Sequence, residues 1–311
     1  MKPEKSNAGV PPDIERRVRE RGAVLDMPFT RAIYDPLLAK QPRAGVRVVQ
    51  DLAYGPDARH RLDIYRPEAA SVASVPVVIV FHGGGFVRGD KSERDNAGLL
   101  FARSGLMSVV PNYRLGPAHR WPAGAEDVVQ AVSWVRQHAA EHGGDPGRIW
   151  LLGESAGATH VASATLLRRF HPPGGLPIAG AVLISGVYNP ELLLRARRQF
   201  GIATPDPRNE AYFGSDFELY PSMSIVDQID AKPLPLLITY AELDLVPMQV
   251  QAGELFARLV TRHGFSPELE VIRGHNHLTQ VYSINTGDES LSAPVLQFLR
   301  AHDESSQAQS P

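Results

Sequence analysis

Residues 149–158 read Ile-Trp-Leu-Leu-Gly-Glu-Ser-Ala-Gly-Ala, and this stretch decides the fold more than any other. A short apolar run typical of a buried strand leads directly into Gly-x-Ser-x-Gly, and a helical pattern follows. This context predicts a sharp strand-to-helix turn. Ser155, which follows Glu154, would lie at this turn with strained backbone dihedral angles. Gly153 and Gly157 are expected because a Cβ at either position would crowd the neighbouring backbone. The turn would push the Ser155 hydroxyl out of the sheet, in front of a helix N-terminus that favours negative charge.

Other apolar runs predict the rest of a sheet. Val75–Phe81 (VPVVIVF) shows no polar alternation, which is the pattern of a central strand covered on both faces. Two strand-like runs between residues 46 and 65 flank a Gly-Pro-Asp turn, which predicts an antiparallel hairpin before this central strand. Helical patterns begin at Pro122 and Val250 and end at glycines. We therefore predict the α/β class: a mostly parallel central sheet of about eight strands covered by helices. The remaining predicted strands are 106–110, 149–152, 181–184, 234–240 and 269–272.

Two stretches fall outside this alternation, and we assign both to a small helical cap: residues 1–45 and 190–225. The catalytic domain would then span 46–302, and the polar tail 303–311 is predicted to be disordered. Active sites of such sheets open at the carboxyl ends of the strands, where insertions cover them and shape the pocket. The candidate pocket-lining residues are aromatic: Phe29, Tyr34, Phe86, Tyr188, Phe200, Tyr212 and Phe213.

Composition narrows the classes of function. The chain has no cysteine, which excludes disulfides, thiolate nucleophiles, zinc–thiolate sites and iron–sulfur clusters. Its 32 basic and 34 acidic residues are spread along the chain, so no nucleic-acid partner is expected. The sequence has no apolar run of the kind a secretory signal or a bilayer span requires, so we expect a cytoplasmic protein without a membrane partner. A homodimer through an edge strand or the last helix is left open.

A second glycine-rich motif, His82-Gly-Gly-Gly-Phe86, follows the predicted central strand. Three successive glycines are costly in backbone entropy, but they let main-chain N–H groups approach a substrate carbonyl oxygen. We expect the amides of Gly84 and Gly85, together with that of Ala156, to form an oxyanion hole. We expect His82, beside Gly83, to be a structural donor that positions the loop.

A Ser-His-acid triad would need an acid and a histidine after Ser155. Glu242 and Asp244 both follow the predicted strand 234–240; we prefer Asp244 and keep Glu242 as the alternative. After the last strand, a predicted loop offers His275 and His277, and either could be the general base, with His277 preferred. The His-x-His spacing could indicate a metal site, but without cysteine or a clear third ligand we expect no metal.

These residues resemble the bacterial hormone-sensitive-lipase-like carboxylesterases of the α/β-hydrolase superfamily, over about residues 52–299. The glycine-rich loop and the Gly-x-Ser-x-Gly turn look like that family's two signatures, and residues 113–127 look like its Tyr-Arg-Leu-Ala-Pro-Glu-His segment. In that family the catalytic histidine stands three residues after a glycine. The resemblance therefore assigns this role to His277, after Gly274, and the acid role to Asp244. Departures at Gly116, Ala118 and Ala158 touch none of these residues.

The resemblance implies a carboxylic ester hydrolase without a cofactor that cleaves small short-chain or aryl esters through an acyl-serine intermediate. The Gly-His-Asn-His-Leu-Thr ending and the Tyr-Gly-Pro-Asp hairpin are also similar to relatives that act on aryl esters or formamides. An arylformamidase or amidase with the same triad is therefore the first alternative. A non-catalytic ligand receptor is the second, although plant relatives of that kind have lost the triad histidine and this chain retains His277.

Overall fold

A computed structural model describes residues 9–68, 74–192, 194, 207–232 and 234–308, with the backbone alone for 304–308. Eight of its segments are strands: β1 Val46–Ala53, β2 Arg61–Pro67, β3 Val75–Phe81, β4 Met107–Pro111, β5 Gly144–Glu154, β6 Gly180–Ile184, β7 Leu236–Leu243 and β8 Glu268–Asn276. They form one sheet in the order β1-β2-β4-β3-β5-β6-β7-β8.

The sheet is mostly parallel. Only β2 runs against its neighbours, β1 and β4, and the five other pairings are parallel. The β1–β2 hairpin and the fully covered β3 are as the sequence predicts, and the predicted fold class is confirmed. Because β3 to β8 point the same way, their carboxyl ends meet at one edge, where an active site can be assembled from several loops.

Helices cover both faces of the sheet: α1 Pro12–Arg21, α2 Met27–Leu38, α3 Asp95–Arg103, α4 Ala123–His138, α5 Ala156–Leu166, α6 Pro207–Phe213, α7 Tyr220–Met223, α8 Ile225–Gln228, α9 Val246–His263, α10 Thr279–Tyr282 and α11 Ser292–Ala308. The 3-10 turns are Lys91–Arg94, Ala139–His142, Arg168–Phe170 and Phe217–Leu219. Gly143 follows the turn after α4, and Gly264 follows α9; both adopt the left-handed conformation expected of a helix end.

One predicted boundary is wrong. The residues from 273 were expected in a loop, but β8 continues to Asn276 because its ladder with β7 resumes after a register shift, pairing Leu243 with Asn276. The backbone of α11 continues to Ala308, past the predicted start of the tail at 303, and disorder of the tail stays a prediction. An ion pair of 3.0 Å between Arg148 and Asp303 holds this part of the helix against β5. Residues 309–311 lie outside the described residues.

Apolar side chains alternate along the strands and build a core on each face. Val77, Ile79 and Leu151 belong to the core under α4, α5 and α9. Val78 and Val80 belong to the opposite core, which also takes up side chains of α1, α2, α3 and α11. The N-terminal helices therefore pack on one face of the sheet. The assignment of residues 1–45 and 190–225 to a cap stays a prediction, and much of the second stretch lies outside the described residues.

Candidate active site

Ser155 lies at the turn between β5 and α5, with φ 49° and ψ −117°. This backbone conformation is rare for a residue with a side chain, and it turns the chain abruptly from strand to helix. A Cβ on Gly153 would lie 2.4 Å from the Gly157 carbonyl oxygen, and one on Gly157 would lie 2.3 Å from the Phe81 carbonyl oxygen. The two glycines are therefore required by close backbone packing.

Ser155, His277 and Asp244 form a continuous hydrogen-bonded chain. The Ser155 Oγ lies 3.0 Å from Nε2 of His277, and Nδ1 of His277 lies 2.7 Å from Oδ1 of Asp244. Asp244 directly follows β7 and His277 directly follows β8, so the parallel strands bring their side chains to the same edge of the sheet. With Nδ1–H donating to the carboxylate, Nε2 is free to accept the serine proton, which is the arrangement that general-base activation of a hydroxyl requires.

The carboxylate of Asp244 is buried and fixed on both oxygens. Besides His277, Oδ1 accepts a hydrogen bond from the Leu245 amide at 2.9 Å, and Oδ2 accepts one from the Ser185 hydroxyl at 2.5 Å. Ser185 in turn accepts a hydrogen bond from Gln280 Nε2 at 2.8 Å. The sequence analysis missed Ser185, although its place directly after β6 was a signal for it.

The environment of His277 shifts its proton affinity in two directions. Burial alone lowers the pKa of the imidazole, but the charge of Asp244 and the hydrogen bond to it raise that pKa, with a smaller contribution from Glu154. The net result is a His277 pKa above its usual value of about 6.5. A raised pKa makes Nε2 a better proton acceptor, because the imidazolium formed by proton transfer is stabilised.

The glycine-rich loop after β3 brings backbone amides to the same place. Gly84 and Gly85 have φ angles of 133° and 59°, and a Cβ on Gly84 would lie 2.0 Å from the Arg88 carbonyl oxygen. Within the described residues, neither of their amides donates to a backbone carbonyl. Ala156, the first residue of α5, has an amide that the helix cannot use. These three N–H groups can serve an oxygen bound in front of Ser155.

Buried polar groups hold the loop from behind. Nδ1–H of His82 donates to the Gly83 carbonyl oxygen at 2.6 Å, and its ring stacks on Tyr113 with centroids 4.4 Å apart. Burial lowers the pKa of His82 to about 4, so this ring is neutral. The carboxylate of Glu154 accepts the Gly83 amide at 2.6 Å and pairs with the buried guanidinium of Arg94. This environment suits the positioning role that we predict for His82.

A cavity of about 240 Å³ opens in front of Ser155. Its walls come from the residues before and within α2, the glycine-rich loop, α6 and the segment from His277 through α10. Among the described residues that line it are Leu25, Met27, Arg31, Phe86, Arg88, Arg208, Met248 and Val281.

Of the predicted pocket aromatics that the structure describes, only Phe86 lines the cavity. Tyr212 and Phe213 pack behind it, with Tyr212 stacked on Phe86 at 4.6 Å. Tyr188 belongs to one sheet core and Tyr34 to the other, with Phe29 packed against the latter. Tyr34, Tyr188 and Tyr212 are fully buried and Phe29 is partly buried, so their rings pack in the protein core and not against the cavity. The prediction for Phe200 lies outside the described residues.

The alternative acid and base are engaged elsewhere. His275 lies in β8, with its ring nitrogens 3.1 Å from the Asp288 carboxylate and 3.2 Å from the Thr279 hydroxyl. Glu242 accepts the Gly274 amide at 2.8 Å and forms an ion pair of 2.9 Å with Arg19 of α1. Neither residue contacts Ser155, so the geometry favours Asp244 and His277.

Comparison with known proteins agrees with this geometry. Residues 78–281, about two thirds of the chain, match a family model described as the alpha/beta hydrolase fold. The chain belongs to the alpha/beta-hydrolase family. The matched residues include Ser155, Asp244 and His277, and the family resemblance drawn from the sequence is confirmed.

Individual relatives are named as esterases. The chain is 38% identical over 173 residues to esterase LipI of Mycobacterium tuberculosis, covering 51% of this chain and 53% of LipI. It is 32% identical over 208 residues to carboxylesterase NlhH of the same organism, covering 63% and 64% respectively. The matched region therefore covers between half and two thirds of the length of each of these two relatives. The solved structure of a bacterial heroin esterase superposes with a TM-score of 0.74 at 26% identity, covering 94% of this chain and 98% of that one.

Two further observations concern metals and membranes. The described part of the chain contains no group of three or more histidine, aspartate or glutamate side chains placed to hold a metal ion. No helix within the described ranges combines the length and the apolar character needed to cross a bilayer.

Proposed function

We propose that the protein hydrolyses small carboxylic esters through an acyl-Ser155 intermediate. The observation that carries this proposal is the unbroken chain of hydrogen bonds, 3.0 Å and 2.7 Å long, from Ser155 through His277 to Asp244 beside the glycine-rich loop. The names of LipI and NlhH support an ester as the substrate class. The cavity of about 240 Å³ favours small substrates, because pockets for drug-sized ligands are usually larger.

The geometry supports a two-step reaction. His277 Nε2 takes the proton of Ser155 as Oγ attacks the ester carbonyl carbon, and the resulting oxyanion is bound by the amides of Gly84, Gly85 and Ala156. His277 then gives the proton to the leaving alcohol, and the acyl group remains on Ser155. In the second step His277 takes a proton from water, the hydroxide attacks the acyl carbon, and the carboxylic acid leaves as the proton returns to Ser155.

Asp244 is assigned two tasks in this reaction. Its hydrogen bond keeps the proton of neutral His277 on Nδ1, so that Nε2 faces the serine. Its charge stabilises the imidazolium that forms when the serine proton is transferred. The buried hydrogen bond from Ser185 keeps the carboxylate oriented for both tasks.

The direct test is Ser155→Ala, assayed on p-nitrophenyl acetate and butyrate and by labelling with a fluorophosphonate. We expect wild-type protein to turn over both esters and to be labelled, and the variant to do neither while retaining its circular-dichroism spectrum. The control Ser133→Ala, on the exposed surface of α4, should behave as wild type. Turnover retained by Ser155→Ala would refute the assignment.

A further inference from the structure

A buried ion pair lies directly behind the reacting groups, between Glu154 at the end of β5 and Arg94 at the end of the 3-10 turn before α3. Each of these two residues is 4% exposed. Glu154 immediately precedes Ser155, and both partners line the active-site cavity. Removing two charges from water often cancels the gain from their mutual attraction, so stability alone does not account for this pair.

Glu154 connects the turn at Ser155 to the glycine-rich loop. Its Oε1 accepts the Gly83 amide at 2.6 Å, and the same oxygen pairs with Arg94. A Cβ on Gly83 would lie 2.8 Å from this Oε1 and 3.2 Å from the Ser155 Cβ. The loop therefore packs against the carboxylate and the serine at one point, one residue before the first proposed oxyanion donor. A displaced carboxylate would move those donors relative to Ser155.

The carboxylate of Glu154 is only partly satisfied. Among the residues that the structure describes, its Oε2 is buried without a hydrogen-bond partner. An unpaired buried oxygen of a charged group costs free energy of folding. The placement of this carboxylate beside the reacting groups is therefore not the one that stability would select.

Arg94 connects the same carboxylate to the segment that follows the base. Its guanidinium lies over the ring of Tyr282, with Cζ 5.2 Å from the ring centroid. Tyr282 ends α10, and Gln280 of the same helix donates to the His277 carbonyl oxygen at 3.2 Å. One buried guanidinium therefore contacts both the residue before the nucleophile and the helix after the base.

From these contacts we infer that Glu154 and Arg94 are positioning residues, which together fix the spacing between the oxyanion amides, Ser155 and His277. The inference rests on the proposed function and deepens it, because this spacing matters only if the three groups act on one ester carbonyl. A misplacement of about 1 Å in such a site can lower the rate about a hundredfold.

The test uses Glu154→Gln, which keeps the shape of the side chain and an acceptor for the Gly83 amide but removes the charge that holds Arg94. On p-nitrophenyl butyrate we expect kcat per active site to fall about tenfold to a hundredfold with KM within about threefold, because the oxyanion exists only in the transition state. The affinity for 1,1,1-trifluorohexan-2-one, which forms a tetrahedral adduct with a catalytic serine, should fall by a similar factor.

Two further measurements separate positioning from folding. Active sites are counted by fluorophosphonate titration to completion, so a merely structural role appears as fewer sites with unchanged kcat per site and unchanged inhibitor affinity. Glu154→Gln leaves Arg94 buried without its charged partner, so the double variant Glu154→Gln/Arg94→Gln is measured as well. It contains no unpaired charge from this pair, and it should show the same two losses.

Asp303→Asn is the control, because it removes the ion pair with Arg148 of β5 outside the cavity and should leave kcat and inhibitor affinity as in wild type. If either quantity stays within about twofold of wild type in the single and the double variant, the inference is wrong while the esterase proposal stands. Wild-type protein that hydrolyses neither p-nitrophenyl acetate nor butyrate would overturn both.

Discussion

Ser185 offers a sensitive probe of how the site works, because its hydroxyl donates to the carboxylate oxygen of Asp244 that does not bind His277. Its hydroxyl donates to Asp244 Oδ2 at 2.5 Å, and both residues are about 1% exposed. A hydrogen bond to a buried charged group contributes about 1.5–3 kcal/mol. In Ser185→Ala the carboxylate retains the Leu245 amide on Oδ1 and the longer 3.3 Å contact from the Ala241 amide on Oδ2. The loss is therefore partial.

We expect Ser185→Ala to lower kcat/KM by about tenfold to a hundredfold, which corresponds to about 1.4–2.7 kcal/mol of lost transition-state stabilisation. We also expect a shift in pH dependence. His277 must be neutral to accept the serine proton, so activity falls as the pH drops through its pKa, which in wild-type protein is above 6.5. Without the serine donor, the carboxylate of Asp244 is held less firmly against Nδ1 and stabilises the imidazolium less, so the His277 pKa falls and the acid limb moves to lower pH.

The assay is the pH profile of kcat/KM on p-nitrophenyl acetate for wild type, Ser185→Ala and Ser108→Ala. Ser108 is the matched control, because it is fully buried in β4 and its hydroxyl has no hydrogen-bond partner among the described residues. A merely structural effect of Ser185→Ala would lower the rate and leave the acid limb in place. Activity within about twofold of wild type, with an unmoved limb, would show that the Ser185 contact does not support Asp244.

Two other perturbations separate catalytic from structural roles. His277→Asn should lower kcat by several orders of magnitude. His275→Asn should keep kcat within about tenfold and lower the free energy of unfolding by about 1–3 kcal/mol, because the buried carboxylate of Asp288 loses its 3.1 Å contact with the imidazole. Steady-state kinetics and urea unfolding check both expectations, and the reverse pattern would exchange the two roles. Gly157→Ala should lower the unfolding free energy by about 1–3 kcal/mol or more, because its Cβ would lie 2.3 Å from the Phe81 carbonyl oxygen. Gly253→Ala in α9, where nothing lies within 4 Å, should stabilise instead, and equal effects of the two in urea unfolding would contradict the packing argument.

The geometry of the candidate active site could be predicted because it is tied to local patterns. Ser155, Asp244 and His277 each directly follow a strand, and parallel strands place their carboxyl ends at one edge whatever the details of packing. Apolar runs without polar alternation identified those strands, and the glycines at 153 and 157 identified the turn. The choice between His275 and His277 remained open because it depended on where β8 ends: His275 lies within the strand and His277 lies just beyond it.

The cavity walls could not be predicted because they depend on contacts between distant segments. Arg31 and Arg208 lie on short helices where an arginine is equally typical of a solvated face, and only tertiary packing brings both to Ser155. Tyr34 is of a residue type that often lines pockets, yet its side chain is fully buried in the core on one face of the sheet. Ser185 was hidden for a different reason: serine before glycine at a strand end is also common in ordinary turns.

The ion pair between Arg19 and Glu242 joins residues that are 223 positions apart. Glu242 also binds the amide of Gly274, three residues before His277, so this contact connects α1 to the two strands that end just before Asp244 and His277. During translation, α1 leaves the ribosome long before β7 and β8 exist. Until those strands have been made, its apolar face has no docking surface there, and a nascent chain must keep that face from aggregating.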